Sequence, residues 1–428
     1  MFDAIAARGG AAAAVTDEAW LQAMLDAEAA LARALAAANL LGEEEAEAIA
    51  AACHADRFDA SAIAEGAAVS GNPVVPLKAA LSEAVEGPAA GHVHRGATSQ
   101  DILDTAAMLA TARAFEPLLE DLGAAASAAA QLARAHRDTP MAGRTLLQQG
   151  VPVTFGLKAA GWLAGLHEAR RWLEEIRLER LAAQLGGAAG TLASLGDAGP
   201  RVLAAYAETL GLVDPGVPWH TQRGRIGELA SALAVTSGAV AKAARDIVLL
   251  SQTEVAEVRE GRPGGSSTMP HKRNPVAAIC ALGCAQQAPG LAATLLGAMA
   301  HEHERAAGSW HAEWRPLGEL LRSTGSAVAW LRGSLEGLEA DPERMRTNLE
   351  LTGGRLMAER VAAVLAESSG GADAHERVAE AARSEDFRAA VAELFTDERA
   401  AELLDPAGYL GSAGVFVDRA LDDHDREG

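Results

Sequence analysis

The sequence predicts an all-α protein built on a bundle of long helices, and three observations carry that prediction. Composition is the first: 49% of the residues are hydrophobic but only 4% are aromatic, so the apolar mass is mostly Ala, Leu and Val, which helices accommodate better than β-sandwiches do. Spacing is the second. Leu166, Ala169, Leu173 and Ile176 recur at helical intervals, with Glu168, Arg170, Arg171, Glu174, Glu175 and Arg177 between them, the signature of an amphipathic helix. The third is that no stretch sustains strand alternation.

The chain has 428 residues, more than one compact core holds. Turn-forming clusters fall at "SGNPVVP" (70–76), "DTPMAGRT" (138–145), "VDPGVPWHTQRGR" (213–225), "GRPGGSS" (261–267) and "EADPERM" (339–345). They suggest an N-terminal helical domain over 1–100, a central long-helix bundle over 101–345 and a small C-terminal helical domain over 346–428.

Taken in order, the N-terminus lacks both a basic region and a leucine-rich core, so no secretory leader is read there. A long helix is expected from Asp101 to about His136. Another, around 166–177, is expected to close at Gly186-Gly187, and further helices are expected across 226–260 and 275–303. Pro275 to Ala300 holds no charged residue. Its length could span a bilayer, but "AQQAPG" interrupts it and its Ala and Gly residues suit close packing, so a kinked, buried core helix is expected. The last 80 or so residues carry short, charged helical patterns.

A net charge of −21 opposes binding to nucleic acid or an anionic membrane, either of which needs a broad excess of Lys and Arg. An anionic small molecule is compatible only if basic residues converge locally. Cys53, Cys280 and Cys284 form an odd set that suggests a reducing, cytoplasmic setting. Cys280 and Cys284 read as core residues, because no neighbouring His or Cys completes a metal-ligand set. His301, His303 and His311 are read as pocket wall or subunit contact rather than metal ligands.

Three polar segments interrupt the helical pattern. In "HVHRGATSQDILDTA" (92–106), Thr98 and Asp101 have capping-box spacing, while the same helix N-terminus, with Thr98 and Ser99 hydroxyls, could seat a carboxylate. His94 is either a loop imidazole or a polar substrate contact. In "GRTLLQQGVPVTFG" (143–156), Arg144, Thr145, Gln148 and Gln149 precede a buried helix and need partners. In "GGSSTMPHKRNP" (264–275), two glycines give mobility and access to positive φ, Ser266 and Ser267 supply hydroxyls, Lys272 a cation and Asn274 an amide, before Pro275 opens a helix.

As an ordered string, "GSSTMPHKRNP" resembles the signature of the fumarase/aspartase superfamily. "HRGATSQDILDTA", "GRTLLQQGVPVTFGLKAAGWL", "PWHTQRGRIGELASALA" and "GSWHAEWRPL" follow in the expected order, so the likeness covers nearly the whole chain and is greatest for the carboxymuconate-cycloisomerising branch. It implies a three-domain, all-α subunit whose central helices form a twenty-helix core in a homotetramer, with each active site drawn from three subunits.

It further implies proton abstraction next to a carboxylate and expulsion of a group from the neighbouring carbon, or the reverse addition, on a small di- or tricarboxylate. Ser266 then resembles the catalytic base, with Lys272 a cation near it. Lys272 and Asn274 resemble ligands of one carboxylate and Thr98 and Ser99 of another, with His94, Arg144, Thr145, Gln148, Gln222, Ser267 and Met269 lining the substrate. No metal or organic cofactor is implied. Arg144, Arg223, Arg225, Arg305 and Arg315 are available to meet negative charge.

Two positions depart from the family pattern. Several branches carry a histidine directly after the threonine matching Thr145, where this chain has Leu146. Leucine cannot protonate a leaving group, whereas a carboxylate with a pKa near ~4 needs no general acid. This favours lactonisation of 3-carboxy-cis,cis-muconate and leaves open another weakly basic leaving group, such as nitrite from a nitro-substituted succinate. The second is Arg95, where that branch is expected to have an aromatic residue.

Overall fold

The computed structural model describes residues 2–427 and is helical nearly throughout, as the composition predicts. It divides into two compact units, one of Met1–Leu122, Ala169–Ala241 and Cys280–Trp330, the other of Gly123–Glu168, Lys242–Ile279 and Leu331–Gly428.

The first unit is organised on helix α1 (Asp17–Ala37). Thr16 caps it by accepting the Ala19 N–H, and Asp17 and Glu18 sit in its first turn, where the helix dipole favours negative charge. Leu21, Leu25, Leu31 and Leu35 are buried, and the helix packs against Glu43–Ala52 and Gly199–Leu210. The same core takes in Ile49, Leu77, Leu81, Val202, Leu203 and Tyr206, and also Ile102, Leu103, Ala106 and Leu109 from the start of α2 (Ser99–Ala135).

In the second unit the segment read as a helix approach is an antiparallel hairpin, β1 (Pro140–Thr145) and β2 (Gln148–Thr154), which runs directly into α3 (Phe155–Glu179). The register shifts between Ala142 and Arg144. Gly143 is needed there, because a Cβ would come within 2.5 Å of the Val151 carbonyl oxygen.

Three helix ends differ from expectation. Helix α3 stops at Glu179 rather than at Gly186, because the following backbone pairs with Val213: Val213 N–H donates to the Leu181 carbonyl and Ala183 N–H to that of Val213. Helix α4 (Gly224–Leu250) ends ten residues early. After a turn, β3 (Val258–Glu260) pairs antiparallel with β4 (Leu338–Ala340). The uncharged stretch is two helices rather than one, α5 (Val276–Ala285) and α6 (Ala288–Ala298), separated at Gln286-Gln287. Helix α7 spans Ser309–Leu335.

The uncharged stretch is also not the buried core helix expected. Only 33% of its most apolar window is buried, and Val276, Ile279 and Leu296 are exposed. By length and composition alone it could cross a membrane. Beyond α7, Leu349, Met357, Val361, Phe387, Val391 and Leu403 gather in a separate apolar cluster of the C-terminal helices.

Candidate active site

Helix α2 begins at Ser99, and its first turn closes in one direction only. The Thr98 N–H donates to Asp101 Oδ2 at 2.9 Å, the back-reaching half of a capping box. Among the described residues the Thr98 and Ser99 hydroxyls find no hydrogen-bond partner. A pure cap would commit the Thr98 hydroxyl to the helix; here both hydroxyls stand at a positive helix end, where an anion is favoured.

Asp101 holds this turn in place. Its Oδ1 accepts the Gly186 N–H and its Oδ2 the Gly187 N–H, each at 2.9 Å, and His220 Nε2 lies 2.6 Å from Oδ1. One helical turn on, Asp104 faces Arg223, which also pairs with Glu313. All three are buried, and burial raises the Glu313 pKa against the opposing pull of Arg223. Trp310 Nε1 and Gln100 Nε2 donate to the same Asp104. Arg223 is therefore not available to a substrate, because two buried carboxylates already claim its fixed fork of donors.

Of the other arginines, Arg305 reaches Gln100 and the Gly187 and Ala188 carbonyls, and Arg225 donates to the Arg180 carbonyl. Arg95 binds the Leu40 carbonyl at 2.6 Å, which tethers the loop to the end of α1. Arg315 has no partner among the described residues and lies on the wall of a cavity of ≈ 570 Å³ with Trp20 and Trp314. Gln222 is exposed at a short bridge to Ala300. His301 is buried 3.2 Å from Glu313, and no cluster of metal-ligating side chains occurs among the described residues.

His94 sits at φ +64°, a conformation few non-glycine residues adopt. Its Nδ1 is 2.6 Å from Oε1 of Glu28 on α1. Burial by itself would lower the imidazole pKa, but the Glu28 carboxylate together with Asp101 outweighs it and the net shift is upward.

In the second unit, Thr145, Leu146, Leu147 and Gln148 form the exposed hairpin tip. Leu146 and Leu147 both have positive φ, 51° and 65°, in a two-residue turn that ordinarily takes Asn-Gly. They are 97% and 74% exposed. Arg144, below the tip, is committed to Glu257 by two hydrogen bonds of 2.7 and 2.8 Å, and Asn348 supports the same carboxylate. In the described chain it therefore anchors the hairpin.

The serine loop is closed at its base by a pair of backbone hydrogen bonds between Gly264 and Asn274. Neither Gly264 nor Gly265 has the positive φ anticipated. Gly264 is needed for space instead, since a Cβ would meet Val276 Cγ2 at 2.1 Å. Ser266 Oγ accepts the Met269 N–H at 3.1 Å and the Thr268 N–H at 3.4 Å, so two backbone donors already point at that oxygen. Asn274 Nδ2 donates to the Gly265 carbonyl. Ser267, Met269 and Lys272 are exposed, and Lys272 has no ion pair among the described residues.

The structure thus brings His94, Thr98 and Ser99 together in one unit, and Ser266, Ser267, Met269, Lys272 and Asn274 in one loop of the other. Sequence reasoning missed Glu28, Asp101 as an anchor, Asp104, His220, Glu257 and Glu313. His220 and Glu313 lie in the quoted "PWHTQRGR" and "GSWHAEWRPL" segments; Glu28, amid alanines on α1, gave no sequence signal.

An all-α chain carrying these motifs belongs to a definite class. The family described as Lyase matches residues 8–290, and the chain is a member of it, within the fumarase/aspartase superfamily. It is 48% identical to 3-carboxy-cis,cis-muconate cycloisomerase of Bradyrhizobium diazoefficiens, with 97% of this chain and 96% of that protein covered. It is 46% identical to nitrosuccinate lyase of Streptomyces davaonensis over 97% and 92% of the two chains. Among solved structures, the 3-carboxy-cis,cis-muconate lactonizing enzyme of Pseudomonas putida superposes with a TM-score of 0.93 at 43% identity, covering 100% and 99%.

Proposed function

We propose that the protein interconverts 3-carboxy-cis,cis-muconate and 4-carboxymuconolactone, an intramolecular addition and β-elimination. The observation that carries this reading is the near-full-length likeness to the Bradyrhizobium cycloisomerase; Leu146, standing where related branches place a proton-donating histidine, agrees with it.

In the lactonising direction a carboxylate oxygen of the substrate adds to the neighbouring alkene carbon. The electron pair moves onto the adjacent carboxylate as an aci-carboxylate, and the Ser266 hydroxyl delivers a proton to carbon. In reverse, the Ser266 alkoxide removes that proton and the ring carboxylate departs unprotonated. An alkoxide needs fixed donors, and the Thr268 and Met269 N–H groups at Ser266 Oγ supply them. Lys272 contributes the cation and Asn274 an amide donor to the charge-bearing carboxylate. Thr98 and Ser99 hold a second carboxylate at the start of α2, while His94, Thr145, Gln148, Gln222, Ser267 and Met269 line the substrate. Arg144, tied to Glu257, sets the hairpin that carries Thr145 and Gln148.

The reading includes a homotetramer with shared active sites and the three-domain layout. The exposed, uncharged faces of α5 and α6 support the first, since a soluble subunit rarely leaves so large an apolar surface uncovered. The separate C-terminal cluster supports the second. A cytoplasmic setting accords with three free cysteines. Ultraviolet absorbance tests the reaction, because lactonisation removes the conjugated diene; purified protein that leaves the absorbance of 3-carboxy-cis,cis-muconate unchanged would overturn it. The Streptomyces davaonensis relative favours one second reading, elimination of nitrite from nitrosuccinate, and nitrite release in a parallel assay decides between them.

A further inference from the structure

Glu28 is the one acidic residue in the buried face of α1. Its side chain is 1% exposed and Oε2 has no hydrogen-bond partner among the described residues. Burying a carboxylate costs several kcal/mol unless a charged partner answers it, and a leucine here would extend the stripe formed by Leu21, Leu25 and Leu35 at no such cost. The carboxylate has a single hydrogen-bonding outlet, the His94 ring 66 residues away, at 2.6 Å.

That ring is constrained from two directions. Its backbone is held at φ +64° in a turn where the Ala97 N–H donates to the His94 carbonyl, four residues before Thr98. Its Nδ1 is claimed by Glu28, while Nε2 makes no hydrogen bond among the described residues and the side chain keeps 13% exposure. An imidazole whose Nδ1–H donates to a carboxylate has one orientation; its Nε2 accepts in the neutral ring and becomes an N–H donor in the imidazolium.

We propose that Glu28 is a positioning residue for the reaction: it fixes the His94 ring so that Nε2–H meets a carboxylate of the substrate held at Thr98 and Ser99, and it keeps that donor charged. The proposal rests on the reading of Thr98 and Ser99 as a carboxylate seat. It supplies a cation to a part of the site whose arginines, Arg95, Arg223 and Arg305, are all engaged by the protein itself. Three groups act on the His94 charge. Glu28 and Asp101 favour the imidazolium and Lys78 on Val74–Ala84 opposes it, with burial also opposing. Asp101 is in turn shared among His220 and three backbone N–H groups, which leaves Glu28 as the direct partner.

The sign follows from the direction of the shift. A raised pKa keeps His94 protonated to higher pH than an ordinary imidazole, so activity that depends on its charge is lost as pH rises through the raised value. In Glu28→Gln the amide can still accept from Nδ1–H but carries no charge, so that loss moves to lower pH.

The test uses the full-length protein in two arms. In the first, without substrate, ring carbon-bound protons are titrated by NMR, with His94 identified by the signal lost in His94→Asn. The midpoint of His94 is expected to fall by about one pH unit or more in Glu28→Gln. An unchanged midpoint overturns the proposal, whichever substrate the enzyme uses. In the second, kcat/KM is followed against pH on 3-carboxy-cis,cis-muconate or nitrosuccinate, whichever is turned over. The alkaline limb is expected to shift down in Glu28→Gln, with KM raised about tenfold and kcat changed less, and Glu28→Asp is expected to restore the limb in part. A titration shift in the first arm with no change in limb or KM also overturns the proposal. Turnover of neither substrate counts against the functional reading and leaves the first arm to decide the Glu28–His94 coupling. If Glu28→Gln does not fold, Glu28→Ala replaces it in both arms, with the same fall in the His94 midpoint and rise in KM expected.

Discussion

His220 Nε2 lies 2.6 Å from Asp101 Oδ1, with both side chains sealed from solvent, and this contact joins the loop after Trp219 to the first turn of α2. Asp101 also accepts three backbone N–H groups, so its removal orphans several buried donors at once. Asp101→Leu is expected to destabilise the protein by roughly 3–5 kcal/mol, read as a lower urea midpoint at unchanged slope. A loss below ~1 kcal/mol would show that the donors find other partners.

Ser266→Ala is expected to lower turnover by several orders of magnitude while thermal stability and oligomeric state stay as in the wild type. The Oγ accepts only two backbone N–H groups of an exposed loop, so little stability depends on it. Near-normal kcat in the variant would remove Ser266 from the role of base.

Leu146 and Leu147 occupy a left-handed turn that costs non-glycine residues about 1–2 kcal/mol each. Replacing the pair by Asn-Gly is expected to stabilise the hairpin by roughly 1–2 kcal/mol and to lower kcat/KM. Higher stability with full activity would mean that the apolar tip has no part in the reaction.

His136, at the end of α2, packs edge-on against Phe155 at 5.3 Å, and burial holds its pKa below the usual imidazole range. The unfolded chain therefore takes up this proton more readily than the folded one. The stability it contributes is present above the unfolded value near ~6.5 and is lost as pH falls through the folded value. His136→Gln is expected to flatten the fall in Tm on acidification in that window. Parallel Tm profiles for variant and wild type would contradict it.

Ile279 is 46% exposed on α5, so a charge there costs the isolated subunit little. Ile279→Glu is expected to break the proposed tetramer into smaller species with helicity retained, measurable by light scattering and circular dichroism. A tetramer that survives the change would place its interface elsewhere.

Much of this molecule was legible in its sequence, and the failures have physical causes. Helix α2 was placed within two residues because apolar spacing and the Thr98/Asp101 pattern agree. The hairpin was not seen, because Leu-Leu is the reverse of a turn signal and its strands are too short and too polar to alternate visibly. The sequence predicts burial for the uncharged stretch and the single subunit leaves it largely open, because hydrophobicity records that a surface avoids water without saying which surface covers it. Arg223 looked free because a sequence lists charges but not their partners, Asp104 and Glu313, which lie about ninety residues or more away on either side.

The uncovered faces of α5 and α6 also bear on how long the enzyme survives dilution. If assembly is what covers them, the folded subunit and the assembled enzyme are linked by mass action, and each tenfold dilution draws on the stability of every protomer. The melting temperature of such a protein climbs with its concentration, and its half-life in a dilute assay is set by subunit dissociation before any helix unwinds.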